Sequence, residues 1–276
     1  MRFARYGEPG AEKPGVLDRD GRLRDLSGLM DDLAGPVLAE LPSVDSDTLP
    51  LVAGSPRLGT PVAGVGKFIG IGLNYSDHAA EAGMKPPAEP IVFMKATSSI
   101  VGPNDVVSLP RGSEKSDWEV ELGVVIGKPA KYVDAAHALD HVAGYCIVND
   151  ISERAFQTER SGQWTKGKSC DTFGPVGPWL VTPDEIGDPQ ALELSLDLNG
   201  ERMQTGTAAA MIFTVADIIA HLSEMMTLHS GDVIATGTPP GVGMGRRPQR
   251  FLREGDVMEL RIAGLGVQRQ AVTRDP

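Results

Sequence analysis

The chain has 276 residues, 41% of them apolar and 23% charged, which suits one large domain, or one domain with a small appendage, around a sizeable core. A net charge of −11 and a pI near 4.9 repel phosphate backbones and anionic lipid, so nucleic-acid and membrane partners are not expected, and any anionic substrate needs a cation in its site. Two cysteines make no disulfide framework, no run approaches the roughly 18 apolar residues of a membrane span, and the start MRFARYGEPG lacks an apolar signal core, so the expected compartment is the cytoplasm.

Residues 1–62 read as a small β-rich segment of short strands around turns (RFARYG, then GVLDRDGRLRDLSG), followed by residues 63–276 as the main domain. KFIGIGLNY is a buried strand running into a loop, SDHAAEAG one or two helical turns, and IVFMKA a further strand after a proline-rich connection. DWEVELGVVIG predicts a strand buried at one end, VDAAHALDHVA a short helix, and GYCIVNDIS a strand with a polar end. LELSLDLNGERMQTG predicts a hairpin turning at Asn199-Gly200. TVADIIAHLSEMMTL predicts an amphipathic helix capped by Thr214 and Asp217 and ended by Gly231. DVIATGTPPGVG is a strand and loop, and VMELRIAGLGVQRQAV a closing hairpin. Strands outnumber helices without a βαβ rhythm, so the fold class is α+β, dominated by β.

In the strand DWEVELGVVIG, Glu119 and Glu121 share one face, while Trp118, Val120 and Leu122 take the other and look like core. Two carboxylates on so apolar a strand repel one another, and a divalent cation with oxygen ligands would compensate them; a solvent-facing strand would need no cation. Asp117 falls on the same face. Asp150 ends the apolar strand GYCIVND as a third hard ligand or as the cap of the following turn. His78 and Glu81 stand three apart on a helical turn, a geometry for a carboxylate-oriented general base and equally for a surface pair. Lys168 lies in WTKGKS, Arg154 and Gln157 follow Asp150, and Thr238 follows a strand in TGTPPGVG; donors of this kind suit a carboxylate or an oxyanion. Arg246, Arg247 and Arg250 read as solvated loop charges, and His137, His141, His221 and His229 as structural or solvated. GIGLNY lacks the third glycine of a dinucleotide fingerprint, and GTPPGVG lacks the lysine of a P-loop.

GLNYSDHAAE, DWEVELGVVIG, IVNDISERAFQ, WTKGKS and TGTPPGVG, in that order, resemble the short bacterial and mitochondrial branch of the fumarylacetoacetate hydrolase family over roughly residues 65–270. The resemblance implies a mixed β-sandwich roll, usually dimeric, acting on a small anionic 2-oxo acid with Mg²⁺ or Mn²⁺. It implies Glu119, Glu121 and Asp150 as metal ligands. His78 and Glu81 correspond to the water-activating pair, and Lys168 to the lysine that stabilises the leaving carbanion. Arg154, Gln157 and Thr238 correspond to substrate-binding positions. The resemblance also implies a lid over about residues 75–90. The long eukaryotic fumarylacetoacetases carry a fourth acidic ligand upstream of the catalytic histidine; FIGIGLNY has no acid, so their substrate does not transfer. Hydrolysis of a C–C bond in a 2,4-dioxo acid is the expected reaction, with oxaloacetate-type decarboxylation or isomerisation on the same scaffold, or metal-dependent sugar-acid binding without catalysis, as the alternatives.

Overall fold

β-Branched and other apolar runs bounded by glycine and proline set the strands of this chain. The computed structural model describes residues 1–81 and 85–275, and the backbone alone for residues 78–80. Strands β1 (Arg2–Tyr6), β2 (Lys13–Leu17) and β3 (Leu23–Asp25) form an antiparallel meander. Next come β4 (Phe68–Gly72), helix α1 (Ser76–Glu81), β5 (Ile91–Lys95), β6 (Ile100–Val101), β7 (Val107–Leu109), β8 (Ser116–Asp117), β9 (Val120–Ile126) and β10 (Val142–Asn149). The second half contributes β11 (Ser152–Glu153), α2 (Thr165–Lys168), β12 (Gly174–Val181), α3 (Pro183–Ile186), β13 (Glu193–Leu198) and β14 (Glu201–Thr207). It closes with α4 (Val215–Met225), β15 (Val233–Ala235), β16 (Val257–Ile262) and β17 (Gly266–Arg274). The class is α+β and mostly sheet; no helix among the described residues is long and apolar enough to cross a membrane.

The larger sheet runs β3-β2-β1-β12-β10-β9-β15-β4-β5, with β6 beside β12, and a second sheet runs β14-β13-β16-β17-β7. Most neighbours are antiparallel, but β15 with β4 and β17 with β7 are parallel, so both sheets are mixed. Alternation along β9 divides the core. Val120, Leu122, Val124 and Ile126 pack with Leu196, Leu260 and Ile262 of the second sheet. Val125 faces the opposite way, with Phe68, Val148 and Val233, and with Phe3 and Val16 of the N-terminal strands. Each such side chain contributes roughly 1.5–3 kcal/mol when fully buried. The N-terminal strands therefore extend the large sheet through the pairing of β1 with β12 and share its second core.

Three elements differ from the sequence reading. VDAAHALDHVA is not an α-helix: Asp134 accepts from the His137 backbone and contacts its ring at 2.7 Å, a local turn that competes with helix, leaving a single 3₁₀ turn at Ala138–His141. The strand expected over DWEVELGVVIG is broken at Trp118 and Glu119 into β8 and β9. Helix α4 keeps its Thr214–Asp217 capping box but ends at Met225 rather than near Gly231, because Leu228 leaves to bridge Ala130. The Asn199-Gly200 turn holds, with φ of 53° and 81°, the left-handed values a two-residue hairpin needs.

Candidate active site

The antiparallel register of β9 and β10 sets Asn149 opposite Val120, and the Asp150 N–H donates to the Glu119 carbonyl at 3.0 Å. Asp150 thus emerges beside Glu119, on the face that Val125 and Val148 occupy further along. The three carboxylates of Glu119, Glu121 and Asp150 are buried, with ligand oxygens all within 4.8 Å of one another. Glu121 accepts the Gly237 N–H at 2.7 Å. Burial foremost, then the charges of Asp150 and Glu119, raise its carboxyl well above the ordinary range, so this cluster calls for a proton or a cation. Hard oxygen donors in this arrangement fit Mg²⁺ or Mn²⁺.

Three cations surround the acids. Lys168, at the end of α2, places its ammonium 2.6 Å from Glu119 and 2.5 Å from Asp150. Burial opposes that charge most strongly, yet Asp150 and Glu119 outweigh it and hold the ammonium above its usual range. Arg154 reaches Asp117 at 2.9 Å through Nε and Glu119 at 2.7 Å through Nη2, and its Nη1 donates to Gln157 at 3.1 Å. Lys95, ending β5, lies 2.6 Å from Asp150; burial pulls its pKa down while Asp150 opposes. Four carboxylates, counting Asp117, face these three cations, which leaves one negative charge for a proton or a further cation to offset.

Asp117, Lys95 and Gln204 join the site without having been assigned to it from sequence. Asp117 is fully buried and accepts from the Gly243 N–H at 2.6 Å and the Met244 N–H at 3.0 Å, tying the 241–245 loop to Arg154. Lys95 had a signal of the same kind as Asp150, one charged residue ending an apolar strand. Gln204 on β14 accepts from the Val120 N–H at 3.0 Å and donates to Thr238 at 2.8 Å, and Thr238 donates to the Val120 carbonyl at 2.8 Å. The Thr238 hydroxyl therefore lines the site with its proton already committed to β9.

A cavity of about 250 Å³ opens over the acids. Glu81, Arg154, Gln157, Lys168 and Thr238 all line it with the three carboxylates, so the structure brings together every predicted site residue whose side chain is described. Glu81 accepts the Gly241 N–H at 3.0 Å. His78 belongs to α1, but its side chain lies outside the described residues. One wall is aromatic: the Phe93 and Trp164 rings stand 5.6 Å apart, and the Lys168 ammonium is 5.0 Å from the Phe93 ring centre.

The family model described as fumarylacetoacetate (FAA) hydrolase C-terminal matches residues 67–273. The chain belongs to the fumarylacetoacetate hydrolase family. A protein of Burkholderia multivorans, provisionally named a hydrolase, is 63% identical over 98% of both chains. The fumarylacetoacetate hydrolase of Exiguobacterium antarcticum is 36% identical over the full length of both chains, with a TM-score of 0.89. A 5-carboxymethyl-2-hydroxymuconate delta-isomerase from Mycobacterium smegmatis is 32% identical over the full length of both, with a TM-score of 0.79. Maleylpyruvate hydrolase from Sphingobium, solved with manganese(II) and pyruvate, is 28% identical over the full length of both, with a TM-score of 0.83. Members of the fumarylacetoacetate hydrolase family thus include hydrolases and isomerases, and the family supports an enzyme.

Proposed function

We propose that this protein is a divalent-metal-dependent hydrolase that cleaves a carbon–carbon bond in a 2,4-dioxo acid, either an acylpyruvate or a 2,4-diketo-3-deoxy sugar acid, to give pyruvate or a related 2-oxo or 2-hydroxy acid and a second acid. The observation that carries the reading is the buried triad of Glu119, Glu121 and Asp150 at the floor of a cavity that Glu81 and Lys168 also line. Mg²⁺ or Mn²⁺ held by the triad would supply a Lewis acid for the carboxylate and 2-oxo oxygens of the substrate. Glu81 orients His78, which takes a proton from water; the resulting hydroxide adds to the 4-carbonyl carbon. The C–C bond breaks with its electron pair passing to the 2-oxo fragment, and the Lys168 ammonium stabilises that enolate until it is protonated. Arg154, Gln157 and Thr238 border the substrate. A cytoplasmic homodimer acting on a small anionic acid, with no nucleic-acid or membrane partner, belongs to the same proposal.

The test is release of pyruvate and of a second acid from a panel of acylpyruvates, diketo-deoxy-sugar acids and oxaloacetate, after chelation and after return of Mg²⁺ or Mn²⁺. Metal-dependent release of both products is expected, and Glu119→Ala should abolish it. Full activity of the chelated enzyme would overturn the ligand assignment. The likeness to the delta-isomerase favours a second reading on the same scaffold. Conversion of an unsaturated 2-oxo acid to an isomer, with no second acid released, would establish it, and turnover of oxaloacetate alone would establish the decarboxylase.

A further inference from the structure

We propose that Asn149 is a positioning residue for Glu119, and that a buried chain of amides running on through Gln270 and Gln268 fixes it in that role. The inference rests on the reading above, in which Glu119, Glu121 and Asp150 hold a divalent cation. The strand that carries Glu119 is broken between β8 and β9, and the N–H groups at the break turn to side chains. The Trp118 N–H donates to Asp117 at 2.9 Å, the Glu119 N–H to Asn149 Oδ1 at 3.3 Å, and the Val120 N–H to Gln204 at 3.0 Å. The Glu119 carbonyl in turn accepts from the Asp150 N–H at 3.0 Å. Asn149 therefore grips Glu119 from the position next to Asp150, and its side chain helps to set the spacing of two of the three carboxylates.

Asn149 is itself held by side chains. Its Nδ2 donates to Gln270 Oε1 at 3.1 Å, and Gln270 Nε2 donates to Gln268 Oε1 at 3.1 Å and to the Pro103 carbonyl. Gln268 Nε2 donates to the carbonyls of Ile147 at 2.8 Å and Gly177 at 3.1 Å. Each amide accepts through its oxygen and donates through its nitrogen. The chain thus has one direction, from the Glu119 N–H to main-chain carbonyls of β10 and β12. That direction fixes the orientation of Asn149: turned over, it would set its NH₂ against the Glu119 N–H. Gln268 and Gln270 share one face of β17, and both, like Asn149, are 0% exposed. Amides at such positions cost stability relative to apolar side chains unless they are fully bonded. Two buried glutamines on one strand therefore need a reason beyond packing, and the carboxylate they lead to supplies one. A directional chain also strengthens each of its bonds in a poor dielectric.

The test is Mn²⁺ binding, followed by paramagnetic resonance of the free and the bound ion. Asn149→Leu should weaken Mn²⁺ about 10- to 100-fold, the usual effect of removing a partner that orients a metal ligand, and should alter the line shape of the bound ion. Gln270→Leu, one link away, should act in the same direction and more weakly. Both changes break one chain, so the double variant should bind Mn²⁺ about as Asn149→Leu does, rather than showing the product of the two effects. Leu222→Ala opens a cavity in the core from α4, a helix that lines no part of the site, and should lower stability without changing the affinity. Wild-type affinity in Asn149→Leu, or an equal loss in Leu222→Ala, would overturn the inference alone. Should Asn149→Leu not fold, wild-type affinity in Gln270→Leu would do the same. A wild-type protein that binds no Mn²⁺ would overturn the reading beneath it.

Discussion

Lys95 uses all three of its donors inside the protein, on Asp150 and on the carbonyls of Ile151 and Lys168. It is 2% exposed, so none of these partners finds water if the ammonium is removed. Lys95→Met keeps an unbranched side chain one atom shorter and deletes the charge. Removing one member of a buried pair costs about 3–5 kcal/mol, roughly 10 °C in melting temperature for a protein of this size. The variant should therefore melt well below the wild type when chelated. A divalent cation at the triad would return countercharge to Asp150, so added Mg²⁺ should raise the variant's melting temperature by more than it raises the wild type's. Equal increments in calorimetric melts would mean that Lys95 is electrostatically separate from the triad. At this scale the three acids were legible because charge in an apolar strand is costly and needs a reason. Asp117 stood on the same face and in the same pattern, but its partners are the Arg154 guanidinium and the backbone N–H groups of Gly243 and Met244, more than a hundred positions away, and no local spacing shows them.

Strand β4 illustrates how an element shapes the cavity through what it omits. A Cβ on Gly70 would lie 2.2 Å from the Phe93 ring, and one on Gly72 2.3 Å from the Trp164 ring. The two glycines share one face of the strand and leave a slot that the edges of the Phe93 and Trp164 rings fill, beside the site that both rings line. The GIGLNY glycines fall one short of a dinucleotide fingerprint in the sequence, and their purpose depends on rings about 20 and 90 positions further along. Gly72→Ala should push Trp164 out of its place. Overpacking costs typically 1–3 kcal/mol, so the unfolding free energy from urea melts should fall by about that amount and the midpoint with it, tryptophan emission should shift, and KM should rise. An unchanged spectrum and midpoint would mean that the slot has slack. Hairpins and the capped α4 were readable because turn and cap chemistry are local, whereas the failed helix over residues 133–143 turned on Asp134 bonding its own neighbourhood, a competition that composition alone does not decide.

At the level of the whole molecule, the order of the large sheet was not legible, because β10, β9 and β15 lie side by side only through pairings across long stretches of chain. That same layering buries ionisable groups away from the site, with a consequence for stability. Cys146 is fully enclosed in the second core, and burial pushes its thiol up to about 12. Burial, with a smaller contribution from Asp188, likewise raises Tyr145 to about 12. In the unfolded chain these groups titrate near 8.5 and 10. As pH rises past those values the unfolded state releases protons that the native state retains, so folding stability is full below about pH 8.5 and declines towards pH 12. The slope is roughly 1.4 kcal/mol per pH unit for each group that ionises only when unfolded. Urea midpoints measured at pH 7, 8.5 and 10 should differ little between the first two, by about 0.4 kcal/mol in stability, and be clearly lower at the third. The growing negative charge of an already acidic protein pulls in the same direction, but repulsion between surface charges is screened by salt and the cost of ionising a buried thiol is not. The decline should therefore persist at high ionic strength. Cys146→Ala should be less stable at pH 7 through its cavity, yet lose less than the wild type between pH 8.5 and 10. If the variant and the wild type lose the same amount in salt, the buried thiol is not what sets the alkaline limit of the fold.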